Sequence, residues 1–309
     1  MRKVCVLMST YNGERYLKEQ IDSILNQKNV DIKLLIRDDG SKDSTVSIIK
    51  EYQKKTDNIV ELYPFKCNIG FAESFWELLL NAPKADFYAF ADQDDFWLDE
   101  KLSTAVEYLE KKTIPCLYAS NFWLVDENLK KIEQEPLFTM EAVRPENLII
   151  TNTRACGNTM VWNRKLQELV LLHPEKEMIT TYHDIRLEFM AAMLGEFYID
   201  LNRTILYRQH TNNVSGGSVT ASKKYWLKGR WKQVRKRLFG SEEEKHYEEY
   251  RAKIFLKNYR PYLSEEKINY LNSVINYRKN INKTFELLKS NVCEGVAIRI
   301  KIRILLHKV

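Results

Sequence analysis

The chain has 309 residues, of which 44% are apolar, and a formal net charge of +6 at pH 7. This length and apolar content are ordinary for one large globular core, with or without an appendage. The five cysteines are scattered and form no C-x-x-C pair, which predicts free thiols in a reducing compartment. The N-terminal apolar run is too short for a signal peptide and no run approaches a membrane span, so we expect a cytoplasmic protein.

The first third of the chain alternates between short apolar runs and helical patterns. Strands are predicted over residues 4–8, 32–36, 59–63 and 87–91, and helices over 14–27, 44–54 and 71–80. This alternation is typical of βαβ units, and it predicts an α/β fold with a mostly parallel sheet flanked by helices. Ligands of such sheets bind beyond the carboxyl ends of the strands.

Three carboxylates, those of Asp92, Asp94 and Asp95, lie within four positions at the end of the predicted fourth strand. Like charges this close repel, and a hard divalent cation such as Mg²⁺ or Mn²⁺ would offset the repulsion. A solvated loop or a helix N-terminus is the alternative for an isolated D-x-D. The apolar neighbours Phe96 and Trp97 favour the partly dry metal site.

Phosphate-binding glycine motifs are missing from the sequence. No G-x-G-x-x-G follows the first strand, and no G-x-x-x-x-G-K-[ST] occurs anywhere. A phosphate ligand would therefore need the metal.

The middle of the chain continues the mixed pattern. A helix is predicted from about residue 99, strands over 116–125, 131–132, 198–200 and 205–207, a turn and strand within 153–164, and a helix from 182 to about 194. Residues 242–289 indicate two or three polar helices broken near Pro261 and Ser264.

Four motifs, in this order, resemble the family 2 glycosyltransferases of the GT-A fold. They are M-S-T-Y-N-G (8–13), D-D-G-S-K-D-S-T (38–45), N-I-G (68–70) and D-Q-D-D (92–95). The resemblance implies a GT-A catalytic domain over residues 1–217, followed by a basic, mainly helical C-terminal extension over 218–309. It also implies an inverting, metal-dependent transfer of a sugar from a nucleotide-sugar.

The resemblance assigns roles residue by residue. Those expected to bind the nucleotide-sugar are Thr10, Tyr11, Asn12, Glu14, Asp38, Asp39, Asn68, Gly70, Asp92, Gln93, Gly157, Asn158 and Arg208. Asp92, Asp94 and His210 are the implied ligands of Mn²⁺ or Mg²⁺. Asp184 is the implied general base, which removes the proton of the acceptor hydroxyl. His183 could orient or screen that base, although a histidine at a helix start is more often a cap or a surface residue.

The pattern Y-R-Q-H-x-N-N-V-x-G over residues 207–216 resembles a bacterial subgroup that includes rhamnosyltransferases of surface polysaccharide synthesis. This resemblance implies dTDP-rhamnose as the donor and a capsule, O-antigen or cell-wall saccharide as the acceptor. UDP-hexoses stay open as donors.

The last third of the chain is basic. Residues 223–239 contain eight Lys or Arg and no acid, with apolar residues at helical spacing, which is typical of a segment that lies on a membrane surface. Residues 296–306 alternate between apolar and basic, as an edge strand or an amphipathic helix would. We expect docking at the inner face of the cell membrane and a lipid-linked acceptor, with a homodimer as a further possibility. Nucleic acid is the weaker alternative, because no binding motif for it is found.

Two other classes of protein compete with the transferase. A sugar-phosphate nucleotidyltransferase should carry a glycine-rich, basic loop after the first strand, and residues 9–14 have one glycine. A non-catalytic nucleotide-sugar-binding protein would bind the donor without any turnover.

Overall fold

The computed structural model describes residues 1–61, 67–132, 155–174, 182–210 and 247–289. The chain divides into two compact units, with a boundary between Gln209 and His210. The predicted segments 211–217, 223–239 and 296–306 lie outside the described residues. Within the described part, no helix is long and apolar enough to cross a membrane.

The first unit is built on one eight-stranded sheet with the order β3-β2-β1-β4-β7-β6-β8-β5. Its strands are β1 (Arg2–Thr10), β2 (Val30–Asp38), β3 (Ile59–Glu61), β4 (Phe87–Ala91), β5 (Phe96–Trp97), β6 (Cys116–Val125), β7 (Met160–Asn163) and β8 (Glu196–Arg208). Its helices are α1 (Leu17–Leu25), α2 (Thr45–Lys55), α3 (Phe71–Leu80), α4 (Lys101–Leu109), α5 (Arg164–Leu172) and α6 (His183–Leu194). The predicted α/β fold is confirmed.

The parallel part of the sheet is its first half. Strands β3, β2, β1 and β4 are all parallel neighbours, whereas β7 is antiparallel to both β4 and β6. Strand β8 is parallel to β6 and antiparallel to β5. The carboxyl ends of β1, β2 and β4 therefore meet at one edge, where the predicted polar loops follow them.

The core between sheet and helices forms as the periodicity predicts. Residues 4–8 of β1 are fully or almost fully buried, as expected for a central strand covered on both faces. In α1, the helical spacing of Leu17, Ile21 and Ile24 puts three fully buried side chains on one face. The bounds predicted for α3, β4 and β6 agree with the structure.

The structure departs from the predicted strands at two places. Residues 198–200 and 205–207 belong to one 13-residue strand, β8, whose exposed centre at Leu201 and Asn202 breaks the apolar pattern. Its pairing with β6 shifts register around Asn121, so the strand continues through the irregularity. Phe96 and Trp97, expected only as neighbours of the acids, form the edge strand β5, which pairs with Leu206 and Ile205.

The second unit, in its described part, contains three helices: α7 (Tyr247–Tyr259), α8 (Glu265–Asn276) and α9 (Ile281–Lys289). A short 3₁₀ turn, Arg260–Tyr262, separates α7 from α8, because the proline at 261 cannot continue the helix. Ser264 then caps α8 by accepting a hydrogen bond from the backbone of Lys267. The prediction of polar helices broken near Pro261 and Ser264 is confirmed.

Candidate functional site

Asp38 joins the ends of β1 and β2. One of its carboxylate oxygens accepts hydrogen bonds from the hydroxyls of Thr10 (3.0 Å) and Ser41 (2.5 Å). The other accepts the backbone N–H groups of Gly40 and Ser41, at 3.1 and 2.8 Å. Asp38 is buried, so its first role is to shape the turn that follows β2.

Asp39 holds the segment that leads into α3. Its carboxylate pairs with the buried guanidinium of Arg37 at 2.7 Å and accepts the backbone N–H groups of Ile69 (2.9 Å) and Gly70 (2.8 Å). Gly70 has φ +87°, a left-handed conformation that favours glycine. Asn68, which also accepts the N–H of Gly70, is exposed beside this turn.

The loop after β1 is tied to the loop after β2. Asn12, itself left-handed with φ 48°, receives the N–H of Lys42 and donates its own N–H to Ser41, both at 2.8 Å. Glu14 accepts the N–H of Ser44 at 2.8 Å, at the start of α2. Tyr11 is 45% exposed between these contacts. Hydrogen bonds thus hold the loops after β1 and β2 (residues 11–14 and 39–44) together as one surface, which we call the ledge. The aromatic ring of Tyr11 is exposed on it.

Gln93 connects this ledge to the acidic loop after β4. Its side-chain amide accepts the N–H of Tyr11 at 2.8 Å and donates to the carbonyl of Tyr11 at 3.1 Å. Gly13 lies directly beneath, since a Cβ added there would meet the Gln93 amide oxygen at 2.3 Å. From the other side, the Gln20 side chain donates to the carbonyl of Asp92 at 3.0 Å.

The structure brings Asp184 close to the acidic loop. Asp92 and Asp94 are half-buried, and Asp184 lies at the start of α6, where it accepts the N–H of Ile185 at 2.8 Å. Burial, then the negative charges of Asp94 and Asp184, raise the pKa of Asp92 to about 7. The charges of two residues 92 positions apart in the chain therefore act on each other.

Asp95 is a fully buried acid to which neither the sequence pattern nor the family resemblance gives a role. Its carboxylate accepts hydrogen bonds from the side-chain amide of Asn158 and from the backbone N–H of Arg208, the latter at 3.2 Å. Burial, with the charges of Asp94 and Asp92, raises the pKa of Asp95 well above its usual range. The sequence shows that Asp95 belongs to the D-Q-D-D motif, but only the fold shows which acids of the motif are buried.

Arg208 points inward from the end of β8. Its guanidinium, 1% exposed, donates to the backbone carbonyls of Asp94 (2.9 Å) and Glu127 and pairs with Glu19 at 2.6 Å. The same group lies 4.3 Å from the ring centre of Tyr16. With these contacts Arg208 supports the backbone of the acidic loop, a placement different from the phosphate contact expected for it.

Gly157 packs against the first turn of α6. A Cβ on this glycine would lie 3.0 Å from Nε2 of His183 and 3.6 Å from the Cβ of Asp184. The Glu188 carboxylate, one helical turn after Asp184 and fully buried, accepts the N–H of Ala155 at 2.7 Å. Glu188 was not among the predicted site residues. Its i+4 spacing from Asp184, which puts both acids on one helix face, was the pattern that could have indicated it.

His183 is a buried aromatic contact, neither a cap nor a surface residue. Its ring stacks on Phe75 at 4.2 Å between centroids and meets Phe90 edge-on at 4.6 Å. Burial lowers the pKa of His183 to about 4, although the charge of Asp184 opposes this shift. The imidazole is therefore neutral at pH 7 and cannot screen Asp184 by charge.

The carboxylates of Asp92 and Asp94 are the described candidates for holding a metal ion. Among the described residues, no group of three or more His, Cys, Asp or Glu is arranged to hold a metal ion. His210, the third expected ligand, belongs to the second unit, so its role stays a prediction. Asp92 and Asp94 nevertheless fit a hard cation that is shared with a phosphate ligand, because Mg²⁺ commonly takes only one or two protein carboxylates.

A parallel half-sheet with acids and paired loops at its carboxyl edge defines an α/β protein whose ligand site lies beyond the strand ends. A sequence model described as glycosyl transferase family 2 matches residues 5–168. The chain belongs to this family and is a glycosyltransferase. A curated relative, the dTDP-rhamnosyl transferase RfbG of Shigella flexneri, is 30% identical over 231 residues, which cover 71% of this chain and 76% of the relative.

Solved structures share the fold. The crystal structure of S. aureus TarS 1–349 aligns over 99% of this chain and 78% of its own, with a TM-score of 0.55 and 16% identity. The same protein in complex with UDP-GlcNAc aligns over 93% and 81%, with a TM-score of 0.52 and 18% identity. At these identities the likeness supports the GT-A-like fold alone.

Proposed function

We propose that this protein is an inverting, metal-dependent glycosyltransferase that moves L-rhamnose from dTDP-rhamnose to a saccharide acceptor in bacterial polysaccharide synthesis. The observation that carries the proposal is that one short segment contacts both groups of acids: Asn158 is hydrogen-bonded to Asp95 of the acidic loop, and a Cβ on Gly157 would lie 3.6 Å from the Cβ of Asp184. The choice of donor is supported by the 30% identity to the S. flexneri dTDP-rhamnosyl transferase and by the motif over residues 207–216.

The nucleoside is held at the ledge formed by the two loops after β1 and β2. Tyr11 offers an exposed ring there for stacking, and Thr10 and Asp38, bonded to each other, are buried at the neighbouring strand ends. The network through Asn12, Glu14 and Asp39 keeps the ledge in place before any ligand arrives. A preformed site loses less conformational entropy on binding.

Asp92 and Asp94 would hold the divalent cation. When bound, the ion neutralises the diphosphate of the donor as it departs. The carboxylates themselves are crowded, and burial together with the neighbouring negative charges raises the pKa of Asp92. A cation would offset this repulsion.

Asp184 acts as the general base. An acceptor hydroxyl oxygen attacks the anomeric carbon, the bond from that carbon to the diphosphate oxygen breaks, and the hydroxyl proton passes to the Asp184 carboxylate. One displacement of this kind inverts the anomeric centre. The N–H of Ile185 orients one oxygen of Asp184, and Gly157 lets the loop before β7 approach the base.

Arg208 and Asn158 serve the site through the acidic loop. Arg208 fixes the carbonyl of Asp94, and Asn158 is bound to Asp95 one position later. Both residues thereby set the direction of the two metal-binding carboxylates. We therefore assign them positioning roles.

Calorimetric titration with dTDP, UDP and GDP, each with Mn²⁺ and with EDTA, tests the proposal. Binding of dTDP that requires Mn²⁺, followed by release of dTDP from dTDP-rhamnose with an acceptor present, would support it. Mn²⁺-dependent binding of UDP alone would instead assign a UDP-sugar, as in the S. aureus TarS complex. Binding of no nucleotide would contradict the proposed transfer mechanism.

Docking at the inner face of the membrane is part of the proposal, and it rests on the sequence of residues 223–239. Eight basic side chains there would be attracted to anionic lipid. Sedimentation with phosphatidylglycerol vesicles should capture the full chain. A variant in which these eight residues are replaced by Gln should stay in the supernatant, and equal capture of both proteins would contradict the idea.

A further inference from the structure

Two exposed aromatic side chains, Phe71 and Tyr182, contact each other at the surface of the first unit. Phe71 is 38% and Tyr182 46% exposed, and their ring centroids are 5.7 Å apart at an angle of 31°. Single exposed aromatics are ordinary, but a paired surface of two rings is a recognisable binding feature. We call this pair the aromatic platform.

The two rings of the platform are attached to the start of α6 and to the segment that Asp39 holds. Tyr182 is the N-cap residue of α6, two positions before Asp184, a separation that the backbone can stretch to at most about 7 Å. Phe71 is the first residue of α3 and directly follows Gly70, whose N–H is held by Asp39. Each ring is therefore attached to a backbone that the site already fixes.

A buried stack supports the platform from below. Phe71 meets the ring of His183 edge-on at 6.4 Å, and His183 in turn packs on Phe75 and Phe90. Since the supporting rings are buried, the platform is held in position without a ligand. Preformed aromatic surfaces bind with a small loss of conformational entropy.

We propose that the aromatic platform is the acceptor subsite, where the apolar face of a neutral pyranose ring stacks on Phe71 and Tyr182. This inference rests on the proposed function, because it assumes that Asp184 is the base. An acceptor hydroxyl must come within hydrogen-bond reach of Asp184, and the platform is the exposed apolar surface attached to the same helix start. Aromatic rings match the apolar C–H face of a sugar.

The experiment compares Phe71→Ala, Tyr182→Ala and Tyr182→Phe with the wild type, in the full-length chain. Acceptors are octyl glycosides of rhamnose, glucose, galactose and N-acetylglucosamine, with dTDP-rhamnose and Mn²⁺. Binding of each glycoside is measured by saturation-transfer NMR in the presence of dTDP. Donor binding is measured by calorimetry, and hydrolysis of dTDP-rhamnose by water measures chemistry without a sugar acceptor.

Both Ala variants should raise the KM for the bound glycoside about tenfold, which is the effect expected for losing one aromatic contact. The affinity for dTDP and the hydrolysis rate should stay within twofold, and Tyr182→Phe should keep the wild-type KM. Two further variants serve as controls. Tyr11→Ala should weaken the binding of dTDP and leave the KM for the glycoside unchanged. Tyr262 is an exposed tyrosine of the second unit, and Tyr262→Ala should change neither quantity.

Three outcomes would overturn the platform as an acceptor subsite. One is a glycoside KM within twofold of wild type in both Ala variants. Another is a loss of dTDP affinity in those variants, which would assign the rings to the donor. The third is a wild type that binds dTDP with Mn²⁺ yet neither binds nor uses any of the glycosides. If the wild type does not bind dTDP at all, that result would instead contradict the proposed function itself.

Discussion

Gln93 and Tyr11 exchange two hydrogen bonds across the candidate site, one accepted and one donated by the same side-chain amide. The pair joins the loop that follows β4 to the loop that follows β1. Asp92 precedes Gln93 and Asp94 follows it. Because Gln93 is bonded to the backbone of Tyr11, the orientation of the two carboxylates is linked to the position of Tyr11. Tyr11, which we propose stacks on the nucleoside, is thus connected through Gln93 to the acids that we propose bind the metal.

Gln93→Ala should therefore weaken nucleotide binding although Gln93 carries no charge. The change removes two hydrogen bonds, each contributing about 1 kcal/mol, so the Kd for dTDP with Mn²⁺ should rise between about five- and fiftyfold. Gln93→Glu keeps the acceptor for the Tyr11 N–H and loses the donor, and it should fall between the wild type and Gln93→Ala. Calorimetry measures all three, and an unchanged Kd in Gln93→Ala would show that the connection does not matter.

The sequence predicts those parts of the site that depend on local pattern. The acids at the end of β4 and the polar loops after β1 and β2 follow directly from where apolar runs stop, and β4 has the predicted bounds. The burial of His183 and the inward direction of Arg208 could not be predicted in this way. Their surroundings come from Phe75 and Glu19, which are far away in the chain and become neighbours only through the sheet order.

Gly157→Ala should lower turnover without weakening the binding of the donor nucleotide. The added methyl group would approach Nε2 of His183 to 3.0 Å, and His183 cannot easily yield because it stacks on Phe75. The first turn of α6 should shift, and Asp184 with it. We expect kcat to fall about tenfold or more, since a small misplacement of a catalytic group is costly.

The control for Gly157→Ala is the binding of dTDP with Mn²⁺, which should stay within twofold of wild type by calorimetry. A variant with wild-type kcat would show that the α6 start tolerates the methyl group. A variant with weakened dTDP binding would place Gly157 against the donor, as the family resemblance suggested.

Arg208→Lys tests whether Arg208 positions the acidic loop or contacts phosphate. Lysine cannot reproduce the fork that bonds the Asp94 and Glu127 carbonyls together with Glu19. If Arg208 positions Asp94, the Mn²⁺-dependent part of dTDP binding should weaken about tenfold, and Mn²⁺ binding measured by electron paramagnetic resonance should weaken in parallel. Equal weakening of dTDP binding with Mn²⁺ and with EDTA would instead indicate a direct phosphate contact.

Glu19→Gln is the matched control for Arg208→Lys. Its side chain is 55% exposed, so water screens this end of the ion pair, and the Gln amide oxygen can still accept from the Arg208 guanidinium. The variant should bind Mn²⁺ and dTDP within about threefold of the wild type. An effect as large as that of Arg208→Lys would mean that the ion pair, rather than the carbonyl contacts, holds the loop.

His183 should make the protein less stable as pH falls from 7 to 5. Its folded-state pKa is about 4, below the ordinary value of 6.5, so below pH 6.5 the unfolded chain binds a proton that the folded chain does not. This contribution is present above pH 6.5 and is lost as pH falls toward 4. It amounts to about 1–2 kcal/mol of unfolding free energy between pH 7 and 5.

Urea unfolding of the wild type and of His183→Gln, at pH 7 and at pH 5, measures this contribution. Carboxylates, including the neighbouring Asp184, titrate in both proteins, so only the difference between the two pH dependences reports on His183. The wild type should lose about 1–2 kcal/mol more than the variant over this range. Identical pH dependences would mean that His183 is not buried in its neutral form.

Asp94→Ala and Asp184→Asn should separate binding from chemistry. Asp94→Ala removes one of two carboxylates available to the cation, so Mn²⁺-dependent binding of dTDP and turnover should both be lost. Asp184→Asn keeps the size and the hydrogen bond from Ile185, but its amide cannot take the acceptor proton. Its kcat should fall by about 10²–10⁴ while dTDP and Mn²⁺ bind as in the wild type. Transfer at the wild-type rate by Asp184→Asn would remove Asp184 as the base, and Glu188, the buried acid one turn later on α6, would be the next residue to test.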